Sequence, residues 1–147
     1  MQENILLLSI RPEYAQKIID GTKTVELRRV RTRLKAGDLV LLYISSPEKA
    51  LVGSFEVERV IEFKNSRKAL NNFWNEVKNN AGIEKQKFDR YYQGASVAVG
   101  IFIKKLEIFP RPLELERLRR KLPNLKPPQS YRYLKENELE AVKRLTQ

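Results

Sequence analysis

Apolar residues first concentrate in "ILLLSI" (5–10), a run of strand length without polar alternation, which predicts a central strand covered on both faces. The period then changes. In "PEYAQKIIDG", Tyr14, Ala15, Ile18 and Ile19 make one helical stripe. Pro12 falls in the first turn, where its missing N–H costs nothing, and Gly21 is placed to end the helix. "TVELRRV" alternates: Val25 and Leu27 take one face and Glu26 and Arg28 the other, as in a strand that packs on one side. "KAGD" turns the chain into "LVLLYI" (39–44), a buried strand, and in "SFEVERVIEF" Phe55, Val57, Ile61 and Phe63 share one parity, the mark of a further strand.

Helical spacing returns with Leu70, Phe73, Trp74 and Val77 at i, i+3, i+4 and i+7, closed by Gly82; Trp74 belongs to that stripe and is assigned to the core. "EKQKFDRYYQG" predicts a second short helix. "ASVAVGIFIKKLEIF" (95–109) resumes strand character with Val97, Val99, Ile101 and Ile103 in phase, then Leu106 and Ile108 out of phase, which predicts a long bent strand with a β-bulge. Beyond Pro110 and Pro112, "LELERLRRKL" (113–122) reads as a basic amphipathic helix, "NLKPPQ" as an extended loop, "SYRYL" as a short strand and "ENELEAVKRLTQ" as a terminal helix. Five or six short strands with interposed helices define a mixed α+β class with a small, closed or nearly closed sheet. A chain of 147 residues suits one core, so residues 1–147 are read as a single domain.

Composition narrows the partners. Twenty-nine Lys and Arg against 18 Asp and Glu leave a net charge of +11, which favours capture of polyanions and makes nucleic acid the first partner to consider. The bases cluster at Arg28, Arg29, Arg31, Arg33 and Lys35, and again at Arg117, Arg119, Arg120 and Lys121. The bland alternative is a charged surface that only keeps a small protein in solution. Apolar runs stay far below the roughly 18 residues that span a bilayer, so no membrane partner is expected. "MQENILLLSI" lacks a basic leader and a small-residue cleavage site, which argues against export. The absence of cysteine removes thiol chemistry and fits a cytoplasmic location.

Lys23 follows a helix-ending glycine, where a turn can hold a flexible ammonium at the mouth of a cleft, a point charge for a phosphate or carbonyl oxygen. Glu26 and Arg28 share a strand face. The carboxylate can accept from the exocyclic amine of a base, and the guanidinium can pair with it, fork a phosphate or stack on a base. Ser9 and Arg11 lie where the first strand ends and could line the same cleft. Ser130, Tyr131 and Arg132 supply a hydroxyl, an aromatic face and a guanidinium, a set suited to clamping an unpaired nucleotide. Each has a structural counterpart: exposed ion pairs for Glu26 and Arg28, a solvated Lys23, and a barrel-closing strand around Tyr131 or Tyr133. Tyr91 and Tyr92 either cap the pocket or pack the helical segment.

The stretch "LLLSIRPEYAQKIIDGTKTVELRR" resembles the opening of the ASCH domain, a branch of the PUA-like superfamily; Gly21, Lys23, Glu26 and Arg28 match its G-x-K-x-x-E-x-R signature. The similarity takes in the preceding strand and helix, the "KAGD" turn, a middle helical insert and the late "PPQSYRYL". The resemblance implies a small PUA-like β-barrel of five to six strands with flanking helices and a helical insert, a cleft beside the signature strand, and RNA-related roles.

Three functions follow. The first is a module that takes single-stranded RNA or a modified nucleotide into a cleft lined by Lys23, Glu26 and Arg28, with Arg29, Arg31 and Arg33 on phosphates. The second is an enzyme, since some relatives are N4-acetylcytidine amidohydrolases and others are linked to RNA cleavage. The amidohydrolase pattern has a threonine where this chain has Glu26, and Thr24 is shifted by two residues. Without histidine, acid–base work would fall to Lys23, Glu26 or a tyrosine. The third is an interaction module docking through helix 113–122. No tightly bound cofactor is expected, and no acid spacing marks a metal site; Glu56, Glu58 and Glu62 fit a solvated strand face equally well. The sequence carries no signal for oligomeric state.

Overall fold

The computed structural model describes residues 4–123 and 131–146. Among them run β1 (Ile5–Ile10), α1 (Pro12–Ile19), β2 (Val25–Arg28), β3 (Leu39–Ile44), β4 (Ala50–Lys64), α2 (Arg67–Val77), α3 (Lys85–Tyr92), β5 (Val97–Glu114), α4 (Leu115–Lys121), β6 (Tyr131–Tyr133) and α5 (Glu136–Leu145). The strands form one six-stranded sheet, ordered β2-β5-β4-β3-β1-β6, curled into a half-barrel. β1 is not central but second from one edge, parallel to β3 and antiparallel to the edge strand β6; apolar clusters on both its faces bury "ILLLSI" along its whole length. The mixed α+β class agrees with the sequence reading.

Three apolar clusters account for the patterning. Leu6, Leu8, Ile10, Val40, Leu42, Phe55, Val99 and Ile101 fill the concave side, where Ala15 and Ile18 of α1 and Leu34 pack onto them. Ile5, Leu7, Leu41 and Tyr43 on the other face of β1 and β3 meet Leu115 and Leu118 of α4 and Leu139 and Val142 of α5. Val25, Leu27, Ala98 and Phe102 meet the insert through Phe73, Val77, Phe88 and Tyr92. Trp74 packs in this third cluster with its ring 4.9 Å from Phe88, so it is a core residue as its helical stripe implies.

The expected bulge in β5 is present. Glu56 pairs with Lys104 and Ser54 with Glu107, which leaves one extra residue on β5, and Lys105 adopts φ 52° there. A second bulge falls in β4, where Val57 pairs with Ile103 but Arg59 with Phe102. It divides a run that shares one numerical parity: Phe55 and Val57 enter the concave core, whereas Ile61 and Phe63 pack against the insert. The helix read over 113–122 is shorter. Leu113 and Glu114 still pair with Leu51 and Ala50, so the strand continues past Pro110 and Pro112 and α4 starts at Leu115. The prolines lie in the stretch opposite Val52 where the register breaks, so their missing N–H groups cost no ladder bond. The "NLKPPQ" loop and Ser130 lie outside the described residues.

Candidate nucleotide-binding site

The site begins with the alternation of β2. Because Val25 and Leu27 are drawn into the insert core, Glu26 and Arg28 must face the other way, into a cavity of about 540 Å³ between α1, β2 and α3. Lys23 reaches the same cavity from the turn that follows α1. There Glu26 stands between two cations: its Oε1 is 3.7 Å from Lys23 Nζ, and its Oε2 accepts a 3.1 Å hydrogen bond from Arg28 Nη1.

Lys23 departs from the expected flexible ammonium at a cleft mouth. It is 3% exposed, and its Nζ donates to the Ala81 carbonyl at 2.6 Å. The loop after α2 supplies this cover: Thr24 N–H donates to the Asn80 carbonyl at 2.8 Å and Lys17 Nζ to the Gly82 carbonyl at 2.8 Å. Gly82 has φ +63°, and a Cβ there would stand 3.1 Å from Lys23 Cβ. Burial lowers the Lys23 pKa below its ordinary value, and the Glu26 carboxylate opposes that shift by favouring the charged form.

Two tyrosines border this floor. The Tyr14 ring centroid is 5.4 Å from Lys23 Nζ, and burial raises its hydroxyl pKa. Tyr91 donates to the Leu27 carbonyl at 3.0 Å, and burial pushes its pKa up to about 12, so it is a neutral hydrogen-bonding group at ordinary pH. The neighbouring Tyr92 is fully buried and donates to the Val99 carbonyl at 3.2 Å. Of the pair Tyr91 and Tyr92, the first lines the pocket and the second packs the insert. Tyr14, Lys87 and Arg90 also line the pocket, which the sequence does not signal: Tyr14 falls in a helical apolar stripe, and no motif marks the two basic residues of α3.

The cavity brings together Ser9, Arg11, Lys23, Glu26 and Arg28. The other described sequence candidates do not line it. Arg29 sits 5.9 Å from the Tyr91 ring, Arg31 pairs with Glu62 at 3.9 Å, and Arg33 stacks on Tyr133 at 4.0 Å. Arg132 is in register with Leu7 and donates to Glu138 of α5 at 2.9 Å, on the opposite side of the sheet from the concave core. Tyr131 packs against the concave core and donates to the Arg31 carbonyl at 3.4 Å without lining the cavity. Thr24 does not line the cavity either. Among the described residues no group of three His, Cys, Asp or Glu could hold a metal, and no helix is long and apolar enough to cross a membrane.

A PUA-like half-barrel with this pocket beside its signature strand defines the class. Residues 8–110 match the ASCH domain, and the chain belongs to that family. It is 26% identical over 140 residues to an ASCH domain-containing ribonuclease of Zymomonas mobilis, covering 95% of this chain and 90% of that one. The crystal structure of ASCH from Zymomonas mobilis superposes with a TM-score of 0.86 at 26% identity, covering 96% of this chain and 94% of that chain. Human THYN1, solved in complex with 5-methylcytosine-containing DNA, has the same fold at a TM-score of 0.62 and 14% identity, covering 99% of this chain and 98% of that chain. Large ribosomal subunit protein uL22 of Ureaplasma parvum is 27% identical over 130 residues, 88% of this chain but 39% of that protein.

Proposed function

We propose that this chain binds single-stranded RNA or a single nucleotide, seating one nucleotide in the pocket beside β2. One observation carries the reading: Lys23, Glu26 and Arg28 converge in a cavity of about 540 Å³ bordered by Tyr14 and Tyr91. That volume lies within the ordinary range of small-ligand sites, roughly 300 to 1,000 Å³. A carboxylate inside a basic pocket repels phosphate, so it belongs to recognition of a base or a ribose rather than of the backbone. Tyrosine rings supply the stacking surface. The fold of THYN1, which takes DNA in its own complex, is compatible with the reading. Titration of a 5′-labelled single-stranded RNA into wild type and Arg28→Met tests it: the variant should bind at least about tenfold more weakly, the scale of one directed base contact. Equal affinity removes the pocket from the binding surface.

The second reading is RNA cleavage. It rests on the match over 95% of this chain to a protein described as a ribonuclease. Lys23 and Glu26 are the acid–base candidates within the pocket. Incubating a labelled single-stranded RNA with the protein, with and without divalent cations, and resolving the products decides it. Fragments that disappear in Lys23→Met place cleavage at this pocket; intact RNA under all conditions leaves binding alone.

A further inference from the structure

Resting on the nucleotide reading of this pocket, we propose that its floor selects uracil and other bases with an imide edge. The floor has an order. Lys23 Nζ, the Glu26 carboxylate and Arg28 Nη1 follow one another, with the anion in the middle at 3.7 Å and 3.1 Å from its two neighbours. Read as hydrogen-bonding groups, they are donor, acceptor, donor. The complementary edge is acceptor, donor, acceptor, which is the sequence O4, N3–H, O2 on uracil.

The other three bases fail in different places. Cytosine presents a donor followed by two acceptors, so its N3 lone pair would oppose the carboxylate. Adenine turns an amine toward a cation and its N1 lone pair toward the carboxylate, and has no carbonyl for either cation. Guanine places one acceptor beside two donors, which suits one cation and the carboxylate but turns an amine toward the other cation. A buried polar group left facing the wrong partner is what discriminates bases in a closed site.

Lys23 and Glu26 have capacity for this contact. An ammonium carries three donors, and one of those on Lys23 is directed to Ala81. A carboxylate has about four lone-pair sites, and Lys23 and Arg28 approach one oxygen each of Glu26. The side chains are 3%, 7% and 15% exposed for Lys23, Glu26 and Arg28, so the contact would form with little competing water. Their partners Ala81 and Leu27, through Lys23 and Tyr91, fix the floor and one wall before any ligand arrives. Arg11, Lys87 and Arg90 are exposed at the pocket and complement the phosphate of the same nucleotide.

The test changes the ligand and leaves the chain intact. Uniformly ¹⁵N-labelled full-length protein is titrated with the 5′-monophosphates of uridine, cytidine, adenosine and guanosine, and of 5-methyluridine and 3-methyluridine. The last two each carry one methyl, on C5 where the imide N–H survives and on N3 where it is lost. Uridine and 5-methyluridine monophosphates should bind at least about tenfold tighter than the other three common nucleotides, and 3-methyluridine monophosphate should lose that advantage. Pocket binding with uridine no tighter than cytidine, or with the 3-methyl derivative as tight as uridine, overturns the imide assignment and leaves the nucleotide reading standing. Shifts absent from Lys23, Glu26, Arg28 and Tyr91 with every nucleotide overturn both.

Discussion

Lys23 is charged where burial resists charge, and Glu26 is what sustains it. Because the folded-state pKa is lowered, both folded and unfolded chains are protonated below it, and the burial penalty acts in full. Between that lowered value and the ordinary 10.5, the unfolded chain binds more protons, so stability rises with pH across this window. Lys23→Met should flatten the rise, as followed by urea unfolding at steps of pH up to 10.5; an unchanged slope would locate the titration elsewhere. Glu26→Gln has the opposite character. It leaves Lys23 and Arg28 facing each other without an anion, and should cost about 3 kcal/mol of unfolding free energy, as breaking a buried pair does. A loss under about 1 kcal/mol in denaturant titrations would mean that the trio behaves as an exposed ion pair. The spacing of Gly21, Lys23, Glu26 and Arg28 made the trio legible in the sequence. Its burial was not, because the carbonyl that receives Lys23 lies 58 residues along the chain.

Between elements, the insert is tied to the signature turn by Thr24 to Asn80, Lys23 to Ala81 and Lys17 to Gly82. Gly82 eases that approach, since its φ of +63° would strain any other residue and a Cβ there would stand 3.1 Å from Lys23 Cβ, close enough to push on that side chain. Gly82→Ala should therefore destabilise by about 1–3 kcal/mol in thermal or urea unfolding, with a change in the Lys23 environment visible by NMR. An alanine tolerated within about 0.5 kcal/mol would show that the loop is not locked against Lys23. In the sequence Gly82 is legible only as a helix stop; its second role depends on tertiary contact. The same division runs through the strands. A parity shift after Ile103 reveals the bulge at Lys105, because apolar residues flank it on both sides. The bulge near Glu58 is silent in the pattern, because the chain changes from one buried face to another and both demand apolar residues. The segment from Arg29 to Asp38, which no periodicity describes, crosses from the end of β2 to β6. Tyr133 accepts from Arg33 N–H at 2.6 Å, and Leu34 anchors it in the concave core.

At the scale of the whole molecule, a net charge of +11 is shared between a pocket that contains a carboxylate and a segment whose arginines remain on the surface. Arg29, Arg31 and Arg33 are exposed along the crossing from β2 to β6, and Arg29 stands beside Tyr91 at the pocket. This arrangement separates attraction from selection. Lys23, Glu26 and Arg28 are largely buried against one another and act at short range, whereas the surface arginines act through counterion release on any single strand. Arg33 is unsuitable for testing the second part, because it also stacks on Tyr133 and its reversal would disturb the crossing segment. Arg31 is better placed: its pair with Glu62 is exposed on both sides at 3.9 Å, so replacing it costs little stability. Arg29→Glu with Arg31→Glu should weaken binding of every short RNA by a similar factor. The slope of log affinity against log salt should flatten by about 0.7 for each phosphate that is no longer neutralised. Preference among bases should survive unchanged, because neither side chain lines the pocket. Fluorescence anisotropy across a series of salt concentrations, on a uridine-rich and an adenosine-rich RNA, measures both quantities together. A change confined to one of the two RNAs would mean that these arginines read bases; an unchanged slope for both would mean that phosphate is held elsewhere.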